Sequence, residues 1–417
     1  MAMQVVESFF QDKPKWPRIP YDEYRLRIDT AKRILAMHGI DALLSFSPTN
    51  WWYYGGWTDV AQMHTDVWRS GMLVLQDRDP VAVVHGAYVW CLRTTTHIKD
   101  VRIWSEVREW GTSHQEFMPL LLDTIKDLDL SGKVIGFETG PEIDTYLSFD
   151  EFEALREALH GLGAKVVSAD KAIWEQRMVK TPWEIETIRE GCRRACDCVR
   201  TAFGAIKPGV NEREVHRVFW EAALKNGLWD TPNVGTWLCF SSNPREAGGV
   251  HRWITQPVDR VIEWGDQGIS DCGPTYQGYQ MDFQRTFCVG DPSEKQRKIY
   301  NIAKETFLET LESIKPGIQA GDINAAAQRA QKKRDPQQWL TISFVGHGEG
   351  LINHEPPWLI AGDQTVIQPG MVLAVEVGAF DMMMEVCGGM PEDIVLVTED
   401  GIENLTRHLS HDLWIAR

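Results

Sequence analysis

Several carboxylates fall where a strand should be apolar. In GISDCGPTYQGYQMDFQRTFCVG (residues 268–290), a turn rich in Gly and Pro separates two strand-like runs. With the turn centred on Tyr276 and Gln277, Asp271 falls directly opposite Asp282. Opposed residues have Cβ atoms roughly 5 Å apart, and like charges there destabilise the pair. A divalent cation removes the conflict, and two such carboxylates can hold a pair of metals about 3.5–4 Å apart. The anomaly recurs downstream. Glu376 interrupts the apolar run QPGMVLAVEVGAF, and Glu392 and Asp393 open MPEDIVLVTEDG, where alternation groups Glu392 with Ile394 and Leu396. An unpaired buried carboxylate costs several kcal/mol, so such groups are normally paired or metal-bound. In FVGHGEGLINHEPP, His347 lies between glycines, where the backbone can come close to a ligand. Imidazole with carboxylates suits a borderline divalent ion such as Mn, Fe, Co or Zn. Any one of these acids has a plainer use, and Arg285, three residues past Asp282, is an available ion-pair partner. The joint pattern favours a metal.

The elements that must position these residues divide in two. Residues 21–46 read as a helix with Tyr24, Ile28, Ala31 and Leu35 on one face, ending at Gly39, followed by the strand DALLSF. MLVL, VAVVH, GKVIGFE and GAKVVSAD are further short strands, and FEALREALHGLG is a helix ending in glycine. This alternation indicates an α/β domain over residues 1–175. From Ile173 to Phe203 a connecting stretch leads into a long helix, with Pro182 in its first turn and an apolar stripe of Ile185, Ile188, Cys192 and Val199. Beyond it, longer helices (213–226 and 294–313) alternate with strands, giving an α+β domain over residues 176–417.

Composition narrows the function. With 43 basic and 59 acidic residues the net charge is −16, which opposes binding to a phosphate backbone. No apolar run approaches the ~20 residues of a membrane-spanning helix. The first residues show no basic stretch leading into an apolar core, so a soluble cytoplasmic protein is expected. Eight cysteines in 417 residues make no disulfide scaffold, and Cys192 and Cys196, four apart on a helix, read as packing thiols before metal ligands.

The order Asp271, Asp282, His347, Glu376, Glu392, within DCGPTYQGYQMDFQRTF, GHGEGLINHEPP, QPGMVLAVEVG and PEDIVLVTEDGIENLT, resembles the pita-bread metallopeptidases. That family includes aminopeptidase P, prolidase, methionine aminopeptidase and creatinase. RMVKTPWEIETIREG resembles its interdomain helix, and TNWWYYGGW its N-terminal-domain signature. The resemblance implies a creatinase-like α/β N-terminal domain and an α+β pita-bread C-terminal domain with a dinuclear site. In it Asp271 chelates one ion, Asp282 and Glu392 bridge, and His347 and Glu376 bind the other. It further implies hydrolysis of the Xaa-Pro type by a metal-bridging hydroxide, with Glu376 among the catalytic groups, His251 contacting the substrate and His354 assisting the reacting group. Creatinase lacks this full acid set, so the ligands argue against a metal-free mechanism.

Four departures bear on the substrate. Val377 stands where the peptidases carry Pro, Met390 where they carry Arg, and Glu349 where they carry a small or apolar residue; DMMMEVCGG, between the two ligand glutamates, is also unusual. Glu349, beside His347, either takes a buried basic partner or attracts a cation. Among 18 tryptophans, Trp51 and Trp57 offer aromatic faces to a cation, although most must be core or interface residues. A small-molecule enzyme of the same fold is therefore the alternative, either a dimethylsulfoniopropionate C–S lyase or a creatinase-like C–N hydrolase. A non-catalytic binding module is the third reading, disfavoured by the complete ligand set. By resemblance the protein is a homodimer, with Trp51, Trp57 and Arg69 near the partner's pocket.

Overall fold

A computed structural model describes residues 13–57, 69–104, 114–140, 142–143, 145–229, 235–244, 252, 255–335, 344–379 and 388–417. The chain forms two compact units, Met1–Arg177 and Met178–Arg417.

The first unit runs α1 (Tyr21–Met37), β1 (Ala42–Ser45), α2 (Pro48–Gly55), β2 (Gly71–Leu75), β3 (Val81–His85), α3 (Val89–Thr95), β4 (Asp100–Trp104), α4 (His114–Asp127), β5 (Val134–Phe137), α5 (Phe149–Gly161), β6 (Lys165–Ser168) and α6 (Asp170–Met178). Its strands form one mixed sheet in the order β4-β3-β2-β1-β5-β6. The α1 stripe Tyr24, Ile28, Ala31 and Leu35 is buried, and Gly39 ends the helix at φ +64°. Leu44, Leu73, Val83 and Phe137 of the sheet pack on Phe117 and Leu121 of α4 and Leu155 of α5.

The second unit contains α7 (Pro182–Gly204), α8 (Glu212–Lys225), β7 (Trp237–Asn243), β8 (Gln267–Gly273), β9 (Thr275–Tyr276), β10 (Tyr279–Gln280), β11 (Phe283–Val289), α9 (Glu294–Ser313), α10 (Ala320–Arg334), β12 (Phe344–Gly348), β13 (Glu355–Ile360), β14 (Val372–Glu376), β15 (Glu392–Val397), β16 (Ile402–Asn404) and β17 (Trp414–Ala416). Thr181 and Glu184 close a capping box at the start of α7, with Pro182 in the first turn where its missing N–H is not needed. Among the described residues, besides the short β9–β10 ladder, there are two sheets, β17-β11-β8-β7 and β13-β12-β14-β15-β16. Phe307 and Leu311 of α9 and Ile323 and Ala327 of α10 pack on Val345, Leu373, Val375, Val395 and Val397. That packing covers one face of the five-stranded sheet with helices. By alternation it turns Glu376 and Glu392 to the other face.

Candidate metal centre

The hairpin corrects the expected register. Gln284, not Asp282, stands opposite Asp271, and Tyr276 pairs with Tyr279. The turn is therefore centred on Gln277 and Gly278, at φ 46° and 89°. A two-residue hairpin turn whose twist matches its strands needs positive φ at both central residues, which Gly meets freely; the expected centre would have put that conformation on Tyr276. Asp282 is two residues from Gln284, so it still shares a face with Asp271, but diagonally.

The directly opposed acids lie in the other sheet, where Glu376 faces Glu392 across β14 and β15. His347 joins them through a break in alternation. Gly346 has φ 142°, and β12 is irregular there, so Val345 stays in the helix-side core while His347 pairs with Ala374, on the face of Glu376. The flanking glycines answer to neighbouring strands instead of to a ligand. A Cβ on Gly346 would lie 2.1 Å from Ala374 O, and one on Gly348 2.2 Å from Pro356 O.

These side chains converge. Ligand atoms of Asp271, Asp282 and Glu392 lie within 4.8 Å of one another, as do those of His347, Glu376 and Glu392, and those of Asp282, His347 and His354. Asp282, His347 and Glu392 thus each belong to two groups. His347 Nε2 is 3.8 Å from Asp282 Oδ2 and 3.9 Å from Glu376 Oε1. Atoms each about 2.0–2.2 Å from one ion stand at most ~4.4 Å apart, so these spacings admit a metal. His347 Nδ1 is 2.9 Å from Gly348 O. A carbonyl only accepts, so Nδ1 carries the hydrogen and Nε2 presents its lone pair to the cluster.

The buried donors pass a further test of fit. Asp271 Oδ1, Asp282 Oδ1 and His347 Nε2 are buried without a hydrogen-bond partner, an arrangement seldom tolerated unless something else satisfies them. Burial pushes Asp271 up to about 7. Burial and then the Asp271 charge push Glu376 up to about 8, while burial and His354 hold His347 down to about 3. Asp282 and Glu392 are raised as well, by burial first and by neighbouring carboxylates second. Two divalent ions would neutralise the four acids, and the neutral imidazole is already in its ligating form.

The sign of the pH effect follows. Asp271 and Glu376 keep protons in the folded, metal-free protein that the unfolded chain gives up near its ordinary carboxylate pKa. Their contribution to stability is full at low pH and is lost as pH rises through about 7–8. Chelator-stripped protein is expected to melt lower at about pH 8.5 than at about pH 6, and Mn²⁺ to raise the melting temperature more at the higher pH. Differential scanning calorimetry checks both; equal metal-induced shifts at the two pH values would contradict the assignment.

The remaining candidate residues separate. His354, with a half-exposed side chain, packs its ring edge-on to His347 at 4.3 Å and puts Nε2 3.9 Å from Asp282 Oδ2. Glu349 lies beneath the cluster. It is wholly buried, accepts from the Asp282 N–H at 3.3 Å, and stands 3.9 Å from His347 Nδ1. The positive charge acting on it is Lys180, itself buried and 3.6 Å from Glu355. Trp51 and Trp57 are core residues stacked on each other at 4.7 Å, so neither offers the free aromatic face expected of a cation site. Arg69 is committed to Glu151, with both carboxylate oxygens at 2.9 Å. His251 and residues 381–387 lie outside the described residues.

Arg285 is not the partner of Asp282. Three residues along a strand place it on the opposite face, where it meets Asp393 at 2.6 Å. Asp393 was readable only as a neighbour of Glu392, and strand parity was the signal that separates the two. Cys239 was also missed: it pairs with Asp271 across β7 and β8 and is only partly buried.

Two sheets bring four acids and an imidazole to one buried cluster, a donor set that suits a metal-dependent hydrolase. The comparisons agree. The pattern of metallopeptidase family M24 matches residues 186–399, and that of the creatinase/prolidase N-terminal domain matches residues 27–179. An Xaa-Pro dipeptidase of Pyrococcus furiosus is 33% identical over 265 residues, covering 64% of this chain and 73% of that protein. The solved prolidase of Pyrococcus horikoshii superposes with a TM-score of 0.72 at 25% identity, over 92% of this chain and 98% of that one. The Xaa-Pro dipeptidase from Bacillus anthracis gives 0.77 at 24% identity, over 94% and 99%. The chain belongs to metallopeptidase family M24 and is a metal-dependent hydrolase of that family, with an α/β creatinase-like first domain and an α+β pita-bread second domain. Among the described residues, no helix is long and apolar enough to cross a membrane.

Proposed function

We propose that this protein hydrolyses dipeptides of the Xaa-Pro type at a dinuclear site that Asp271, Asp282, His347, Glu376 and Glu392 would hold. The observation that carries this is the overlap of three ligand groups, with Asp282, His347 and Glu392 each belonging to two, supported by the relatives whose printed name is Xaa-Pro dipeptidase. Two divalent ions there would supply Lewis acidity toward the scissile carbonyl and make water nucleophilic at neutral pH. Mn, Fe, Co and Zn all suit an oxygen-rich set with one imidazole.

The chain's own residues do the rest. Glu376, at the rim of the cluster, takes the proton of the attacking water at a carboxylate oxygen and returns it to the leaving imino nitrogen. His354, exposed on the solvent side of Asp282, donates to the carbonyl oxygen as it gains charge. Glu349 braces the Asp282 peptide from beneath. That placement takes from the C–S lyase and creatinase-like readings the acid that favoured a cationic substrate. The homodimer and the cytoplasmic location belong to the same reading; light scattering tests the dimer.

The test is release of proline from Xaa-Pro dipeptides by Mn-, Fe-, Co- and Zn-loaded protein, with dimethylsulfoniopropionate assayed in parallel. Metal-dependent proline release supports the reading. Dimethyl sulfide without proline release would replace it. His354→Ala is expected to lower kcat by about a hundredfold while both ions remain bound. Loss of metal in that variant, measured by elemental analysis, would make His354 a ligand instead.

A further inference from the structure

Behind the metal cluster, on the opposite face of β15, lies a buried polar knot that the reaction does not use. Arg285 is 4% exposed and Asp393 is wholly buried. Every N–H of the Arg285 guanidinium is engaged. Nε donates to Ser410 O at 3.1 Å; Nη1 donates to Gln284 O at 2.8 Å and to Glu392 O at 2.6 Å; Nη2 donates to Asp393 Oδ1 at 2.6 Å and to Leu409 O at 3.3 Å. Asp393 is equally occupied. Thr406 Oγ1 donates to Oδ1 at 2.8 Å, Asn404 Nδ2 donates to Oδ2 at 2.5 Å, and His411 Nε2 stands 2.5 Å from Oδ2.

The connections matter more than their number. Arg285 belongs to β11 of the four-stranded sheet, three residues after Asp282. Its guanidinium holds the main-chain carbonyl of Glu392, the shared ligand of the five-stranded sheet. Asp393 is the next residue of that strand, and its partners Asn404, Thr406 and His411 belong to the segment that folds back over it. Asp271 lies in one sheet and Asp282 immediately before a strand of it, whereas His347, Glu376 and Glu392 lie in the other. The distance between the sheets therefore sets the distance between the halves of the ligand set.

We propose that Arg285 and Asp393, closed by His411, act as a positioning clamp that fixes the gap between the two sheets and so the spacing at which two metal ions are held. This rests on the dinuclear reading above. A buried ion pair adds little to stability relative to apolar side chains of similar size, whereas breaking it from one side leaves an uncompensated charge. Groups behind a ligand typically change metal affinity by about 10–100-fold when altered. The clamp is thus expected to show in the metal, beyond the stability lost with the carbonyls and donors that an apolar pair leaves unpaired.

The test pairs two apolar substitutions, Arg285→Met with Asp393→Leu, and adds His411→Ala as a milder variant. Mn²⁺ stoichiometry and affinity are measured against a competing chelator. Electron paramagnetic resonance reports whether the two ions are exchange-coupled, and thermal melting reports the fold. The paired variant is expected to fold, to bind its second ion about tenfold or more weakly, and to replace the coupled spectrum by that of isolated Mn²⁺. With metal in excess, kcat falls and KM changes little. Two ions bound with wild-type affinity and coupling in a folded paired variant would overturn the clamp. Should that variant fail to fold, His411→Ala decides: a several-fold loss of second-ion affinity at an unchanged melting temperature supports the proposal, and unchanged affinity overturns it. A wild-type protein that binds fewer than two ions would remove the dinuclear reading, and the clamp with it.

Discussion

Asp282→Ala is expected to give a folded protein that cannot hold two ions and whose kcat/KM on an Xaa-Pro dipeptide is lower by at least about a thousandfold. Asp282 is shared between ligand groups, one with Asp271 and Glu392 and one with His347 and His354. Its removal damages both halves of the site at once. The fold should survive, because the metal-free protein loses a buried carboxylate whose ionised form it already disfavours. Elemental analysis, thermal melting and proline release together make the measurement. Retention of two ions at wild-type affinity would show that Asp282 is not shared between them.

Gly346→Ala is expected to cost about 3 kcal/mol or more and to weaken metal binding through His347. The added Cβ would lie 2.1 Å from Ala374 O, a main-chain atom of the adjoining strand, and φ is 142°. Neither strand can retreat without breaking the β12–β14 ladder, which also positions His347 beside Ala374. Gly362→Ala is the control. Gly362 has φ +86° with nothing within 4 Å of its built Cβ, so only the backbone preference is lost, at about 1 kcal/mol. Chemical denaturation of the two variants separates strain from collision; equal losses would refute the steric account.

The ligand set was readable because charge inside an apolar run is an anomaly that short windows expose. Glu376 in VLAVE and Glu392 at the head of EDIVLV needed no long-range knowledge, and both lie in the strands expected of them. Pairing was less readable. The hairpin register depended on which residues take positive φ, and a shift of the turn by one residue moved Asp271 from Asp282 to Gln284. Arg285 was set against Asp282 by proximity in sequence, although a separation of three along a strand reverses the face. The facing of Glu376 and Glu392 depends on β14 and β15 pairing across an intervening segment whose length carries no register information. Trp51 and Trp57 have the composition of a cation site, and only packing assigns them to the core. Lys180, Glu355 and His411 act across distances that local patterns do not encode.

The division of the ligands between two sheets also sets an order of assembly during translation. Asp271 and Asp282 leave the ribosome first, whereas Glu392 follows about 110–120 residues later. At about 5–20 residues per second, that interval is roughly 6–24 s. His411, which closes the knot behind Glu392, comes later still. A nascent chain carrying the first hairpin therefore exposes two acids without their shared partner, a poor chelator beside the finished one. The complete centre appears only after the strand bearing Glu392 has docked, so metal capture follows the making of that strand.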